Sequence, residues 1–169
     1  MSKHLGLENI ESCGLPQALE IVGERWSFMI LLAAFNGIGH FEDFLNVLGI
    51  ARNILSSRLA NLVENGIMVR EPCAHDRRKV EYCLTSKGED LLPALLALRQ
   101  WGEAYELNVP SNPVLVDVRD RQPIASFHIR AHDGRPLRLA DLMWVDRAEL
   151  GDPAVDCCGP GELPALRRR

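Results

Sequence analysis

No run in this 169-residue chain is long and apolar enough to cross a bilayer. The longest, Phe28 to Phe35, covers eight residues, whereas a spanning helix needs about twenty. The opening Met-Ser-Lys-His-Leu-Gly lacks the basic and then apolar pattern of a signal peptide, so a cytoplasmic location is expected. The five cysteines are odd in number and follow no regular frame, which in a leaderless chain argues for reduced thiols over structural disulfides. There is no G-x-S-x-G elbow, Walker loop or dinucleotide fingerprint, and no enzyme is expected. Closed metal-ligand pairs are missing too. Cys73, His75 and Cys83 lie near one another only across a loop, and His128 and His132 share one face of a strand. Structural zinc wants four ligands in spacings such as C-x2-C, so neither a metal nor a cofactor is expected. Cys157-Cys158 reads as a pair of tail thiols. No internal repeat is visible.

Excess positive charge is also missing. The net charge is −4 and the pI about 5.7, which counts against indiscriminate nucleic-acid binding but not against a specific binder, because phosphate contact depends on local charge. Between Ile50 and Lys79 the balance reverses, with six Arg/Lys against three Asp/Glu, and part of that excess is the run Arg77-Arg78-Lys79.

That basic region lies inside the stretch around which the chain is organised, Phe41 to Thr85. Phe41, Phe44, Leu45 and Leu48 recur at helical spacing and form one apolar face. Gly49 ends that helix, since glycine accepts the left-handed conformation common just past a C-terminus. A second helix is expected from about Ala51 to Asn65, with Leu55, Leu59, Leu62 and Val63 inward. Its outward side holds Asn53, Ser57, Ala60 and Asn61, flanked by Ser56 and Arg58. Short polar side chains let a helix lie close to a surface rich in hydrogen-bonding groups, and the major groove of B-DNA is such a surface. Gly66 closes the helix. Ile67 to Arg70 reads as a strand that Pro72 ends, and Val80 to Thr85 alternates with period two, so the two make a hairpin whose loop carries Arg77, Arg78 and Lys79.

Around this stretch, the first dozen residues read as a short arm and Pro16 to Val22 as a helix. Arg25 to Phe35 is apolar nearly all round and should be central to the core. Ser86-Lys87-Gly88-Glu89 fits a capping box that opens a helix to about Leu107, kinked by Pro93. Its large apolar residues, with Leu15, Leu19 and Val22, exceed what one small domain buries, and a homodimer is expected. Asn108 to Pro113 reads as a linker. Beyond it Val114–Val118, Ile124–Arg130 and Leu137–Val145 read as strands of a small antiparallel β unit, with an Asp133-Gly134 hairpin turn. Gly151 to Arg169 reads as an irregular tail. The fold class is therefore α+β and helix-rich: residues 1–109 as a winged helix-turn-helix with dimerisation helices, and residues 110–169 as a β extension and tail.

Taken in order, a set of short matches resembles the HxlR family of bacterial transcription regulators, relatives of MarR-type winged helices, over about Cys13 to Tyr105. These are Cys13 with Pro16, Gly23-Glu24-Arg25-Trp26, Phe41-Glu42-Asp43-Phe44-Leu45, Leu48-Gly49-Ile50 and Leu55-Ser56-Ser57-Arg58-Leu59. They continue with Leu62-Val63-Glu64-Asn65-Gly66, Val80 to Gly88, and Trp101-Gly102. The resemblance implies a homodimer on an inverted-repeat operator in double-stranded DNA. It places Arg52, Asn53, Ser56, Ser57 and Arg58 on the recognition helix, with Asn61 on its outward side, and Arg77, Arg78 and Lys79 on the wing. In several members it also implies a thiol near the N-terminus that senses electrophiles or oxidants, which here is Cys13. Departures are His40 in place of a basic residue, Ala51 in place of a capping serine, Asn53 in place of a lysine, and Gly14-Leu15 between Cys13 and Pro16. The expected function is a regulator, a repressor, with a small aromatic or electrophilic effector as a second partner. Trp26, Phe28, Trp101 and Tyr105 are the aromatics that would line a cleft for it, and the surroundings of Trp144 are a second candidate pocket. The alternative is a winged helix used as a protein-interaction module, whose helix face would be apolar or acidic.

Overall fold

The computed structural model describes residues 13–73, 79–107 and 112–145. The N-terminal arm, His75, Arg77, Arg78, the start of the linker, Cys157-Cys158 and the tail from Gly151 lie outside the described residues.

The chain runs α1 (Gly14–Val22), α2 (Arg25–Phe35), α3 (Phe41–Leu48), α4 (Arg52–Glu64), β1 (Met68–Pro72), β2 (Val80–Leu84), α5 (Ser86–Glu89) and α6 (Leu92–Gly102). One π-helical turn, Glu103–Leu107, continues α6. As the all-round apolar pattern requires, α2 is central: it touches α1, α3, α4, β2 and α6, and Ile30 and Leu31 are fully buried. Phe44 of α3 and Leu55, Leu59 and Leu62 of α4 close the core against it. Each such side chain contributes roughly 1.5–3 kcal/mol through removal of apolar surface from water. Val22, expected on a subunit seam, belongs instead to this core, because α1 turns its last residue toward α2.

β1 and β2 pair antiparallel, from Met68 opposite Leu84 to Pro72 opposite Val80. Cys73 N–H donates to the Lys79 carbonyl (2.8 Å) at the outer end of the ribbon. Two bonds tie β2 back to the start of α3: Tyr82 N–H to the Gly39 carbonyl (2.8 Å), and His40 Nδ1–H to the Val80 carbonyl (3.1 Å).

The single kinked helix expected after the wing is two helices. Its cap is Thr85 and not Ser86: Thr85 Oγ1 accepts the Gly88 N–H (3.2 Å) and also lies 2.7 Å from the Gly66 carbonyl. The break falls at Asp90–Leu91, and Pro93 sits in the first turn of α6, where its missing N–H has no intrahelical partner to lose.

The strands expected beyond Pro113 are reduced to two isolated antiparallel bridges, Val116 with Pro123 and Arg130 with Pro136, and part of the third segment is a 3-10 turn at Leu139–Asp141. The Asp133-Gly134 turn does form, with Gly134 at φ +86. No residue of 112–145 is buried, so the alternation has no core face to press against and long ladders do not propagate. Two side chains of α6 hold this segment. Arg99 donates to the Pro113 carbonyl. Gln100 donates through Nε2 to the Ala125 carbonyl (3.3 Å) and accepts the Phe127 N–H on Oε1 (2.8 Å).

Candidate nucleic-acid interface

The turn between α3 and α4 is set by Gly49, at φ +60, whose N–H donates to the Leu45 carbonyl (3.0 Å). A left-handed residue there redirects the chain within three residues, so α4 crosses α3 and exposes the face opposite Leu55, Leu59 and Leu62. On that face Asn53, Ser56 and Ser57 are exposed and make no side-chain hydrogen bond to the described residues. Ala60 beside them is also exposed. The helix starts bare: Ala51 supplies no side-chain cap and the first turn has no acidic residue, so its terminal N–H groups have no side-chain acceptor from the cap.

The two arginines of α4 each pair with a carboxylate from elsewhere in the chain. Arg52 gives two hydrogen bonds to Glu42 of α3, Nη1 to Oε1 at 2.9 Å and Nη2 to Oε2 at 3.0 Å, and lies over the Phe41 ring at 5.3 Å. That hydrogen bond holds the Glu42 carboxyl below its ordinary range and the Arg52 guanidinium above its own. Arg58 Nη2 stands 3.4 Å from Glu24 Oε1, just ahead of α2. Arg58 Nε and Asn61 Oδ1 are buried without hydrogen-bond partners among the described residues. Arg58 and Asn61 thus sit on the flank turned toward the body of the protein, while Asn53, Ser56 and Ser57 occupy the open face. Residue pattern alone did not reveal Glu24 and Glu42. Both lie in segments read only for their place in the core or the motif, and nothing local links either to its arginine.

On the wing, Lys79 is exposed at the described edge of the loop and Arg70 is exposed on β1. The candidate effector aromatics differ in exposure. Trp26 and Phe28 are half-buried against the core, with the Arg25 guanidinium 5.0 Å from the Trp26 ring. The rings of Trp101 and Tyr105 lie with centroids 5.6 Å apart, tilted 40° to each other, and are 54% and 70% exposed, and Trp144 is exposed in the extension. Cys13 is a half-buried free thiol at the N-cap of α1.

A helix, a left-handed glycine turn, a second helix with an open polar face and a two-stranded ribbon immediately after it define a winged helix-turn-helix protein. The HxlR-like helix-turn-helix family model matches residues 21–109, and the chain belongs to that family. The HTH-type transcriptional regulator Rv3095 of Mycobacterium tuberculosis is 48% identical over 103 residues, 61% of this chain and 63% of the relative. The chain thus spans a little under two thirds of the length of that relative. The crystal structure of PA1607, described as a candidate transcription factor, is 40% identical with a TM-score of 0.75, and covers 84% of this chain and 99% of its own. That coverage exceeds the family match and reaches into the segment beyond Pro113. The redox regulator HypR in its oxidised form is 30% identical with a TM-score of 0.51, over 56% of this chain and 98% of its own. Among the described residues no helix is long and apolar enough to cross a membrane.

Proposed function

We propose that this chain is a sequence-specific regulator of transcription, a repressor, that binds an inverted-repeat operator as a homodimer. The observation that carries the reading is the open face of α4. Asn53, Ser56 and Ser57 are exposed, polar and unengaged by any described residue, on the side of the helix opposite its buried leucines. A protein-interaction face would be apolar or acidic, and this one is neither. In this reading Asn53, Ser56 and Ser57 meet base edges, Arg52 and Arg58 act from the helix start and flank, and Arg77, Arg78 and Lys79 meet phosphates or the minor groove.

The dimer is supported by exposed apolar side chains on two elements, Leu15 and Leu19 of α1 and Leu98, Trp101 and Tyr105 on and just beyond α6. A second copy covering them would set two recognition helices roughly 34 Å apart, one DNA turn. Cys13, at the start of α1, would lie close to that seam. The similarity to a redox regulator supports a sensing role for its thiol.

Selection of bound fragments from random duplex DNA tests the function, with sedimentation for the dimer. The expected result is an enriched pseudo-palindrome. Lys79→Ala should weaken binding to every sequence and flatten the salt dependence by about one unit, whereas Asn53→Ala should change the sequence preferred. Failure to enrich any sequence, or equal effects of both variants on matched and scrambled sites, would refute the reading.

A further inference from the structure

Arg52 is the first residue of α4, and a cation there opposes the helix dipole, whose N-terminal end is positive. α4 has no acidic residue in its own first turn to offset this. The compensating charge comes from another element. Glu42, near the start of α3, takes one bond on each carboxylate oxygen from the two terminal nitrogens of Arg52. The Arg52 Cζ also lies over the Phe41 ring, 5.3 Å from its centroid. Both charged side chains are about two-thirds exposed, so the pair adds little to folding stability. Its consequence is geometric: a two-bond carboxylate fork sets the direction of the guanidinium, which lies over the Phe41 ring.

A guanidinium has more N–H donors than Glu42 occupies. With the end-on fork taken, Nε–H and the outer N–H of Nη2 remain side by side on the lateral edge. That edge matches the O6 and N7 acceptors that guanine presents in the major groove, the commonest specific contact arginine makes with a base. The geometry points to Glu42 as a positioning residue that, with Phe41, aims the Nε–Nη2 edge of Arg52 at a guanine in the operator. Discrimination at one base pair is then set in part by a side chain of α3 that touches no base. This inference rests on the DNA-binding reading given above. The opposite role, a carboxylate that merely masks Arg52, predicts different behaviour when it is removed.

The test uses the full chain as wild type and as Glu42→Gln, Glu42→Ala, Arg52→Ala and Arg52→Lys, each checked for an unchanged melting temperature. Each is put through selection from random duplex DNA, followed by base-by-base substitution of the selected operator. Wild type should require guanine at one position of each half-site, with replacement weakening binding at least about fivefold. Arg52→Ala and Arg52→Lys should abolish that preference, the lysine variant keeping the wild-type salt dependence because it keeps the charge. Both Glu42 variants should lose several-fold discrimination at the same position and at no other, while binding scrambled DNA as well as wild type or better. Glu42 variants that bind the operator more tightly with every base preference intact would show masking and overturn the proposal. An equal loss at all positions would show a structural role and overturn it as well. If wild type enriches no sequence, the DNA-binding reading itself falls, a result distinct from an operator whose preferences ignore Glu42.

Discussion

Alanine at two glycines should give opposite results. Gly88, in α5, is buried against the chain that leaves α4. A Cβ added there would stand 2.3 Å from the Ile67 carbonyl oxygen and 3.1 Å from Leu84 Cδ2. The leucine methyl can yield. The carbonyl cannot move freely, because it accepts the Thr85 N–H (3.1 Å) and lies the same distance from Thr85 Oγ1, the atom that caps α5. Helix propensity favours alanine over glycine by at most about 1 kcal/mol. Overpacking costs about 1–3 kcal/mol, and a disturbed cap adds about 1 kcal/mol. The steric cost wins, for a net loss of about 1–3 kcal/mol. For a chain of this size 1 kcal/mol moves Tm by roughly 2–4 °C, so Gly88→Ala should melt roughly 2–12 °C below wild type. Gly102, near the end of α6, has nothing within 4 Å of a built Cβ and no positive φ. Gly102→Ala keeps only the propensity gain and should melt at or up to about 4 °C above wild type. Differential scanning calorimetry of both variants decides the matter. A Gly88→Ala protein as stable as Gly102→Ala would refute the claimed approach of α5 to Ile67.

Three further outcomes are expected. The Glu42 carboxyl, held below its ordinary 4.5 by the hydrogen bond from Arg52, keeps that pairing above the ordinary value and loses it as pH falls through the lowered folded value. A carboxyl-carbon NMR titration should therefore show a depressed midpoint that Arg52→Ala returns to normal, and a midpoint indifferent to Arg52 would contradict the pair. Gln100→Ala removes both bonds to the segment beyond Pro113, so the Phe127 amide should exchange severalfold faster, each lost bond being worth about 0.5–1.5 kcal/mol. Unchanged exchange would mean that α6 does not hold that segment. Finally, a quinone or peroxide should abolish DNA binding by wild type but not by Cys13→Ser. Equal loss in both proteins, or none in either, would remove Cys13 as the sensor.

Local pattern was enough for whatever depends on neighbours a few residues apart. The apolar faces of α3 and α4, the left-handed glycine between them, the all-round apolar α2 and the alternation that makes the wing are patterns with periods of two to four residues. They are set by helix and strand geometry over a few neighbouring residues. What it left undecided needed a partner from elsewhere in the chain. The α5 cap went to Thr85 because the carbonyls of Gly66 and Ile67 happen to meet it there. Val22 became core because α1 packs on α2. The alternating residues beyond Pro113 formed bridges and not long strands, because none of residues 112–145 is buried to make one face an inside. The arginines of α4 were visible as cations at the right positions, yet their orientation comes from Glu42 and Glu24, which only the crossing of α3 and α2 against α4 brings within bonding distance. Local periodicity carries no information about such meetings, since they depend on how whole helices pack and not on the spacing within any one of them.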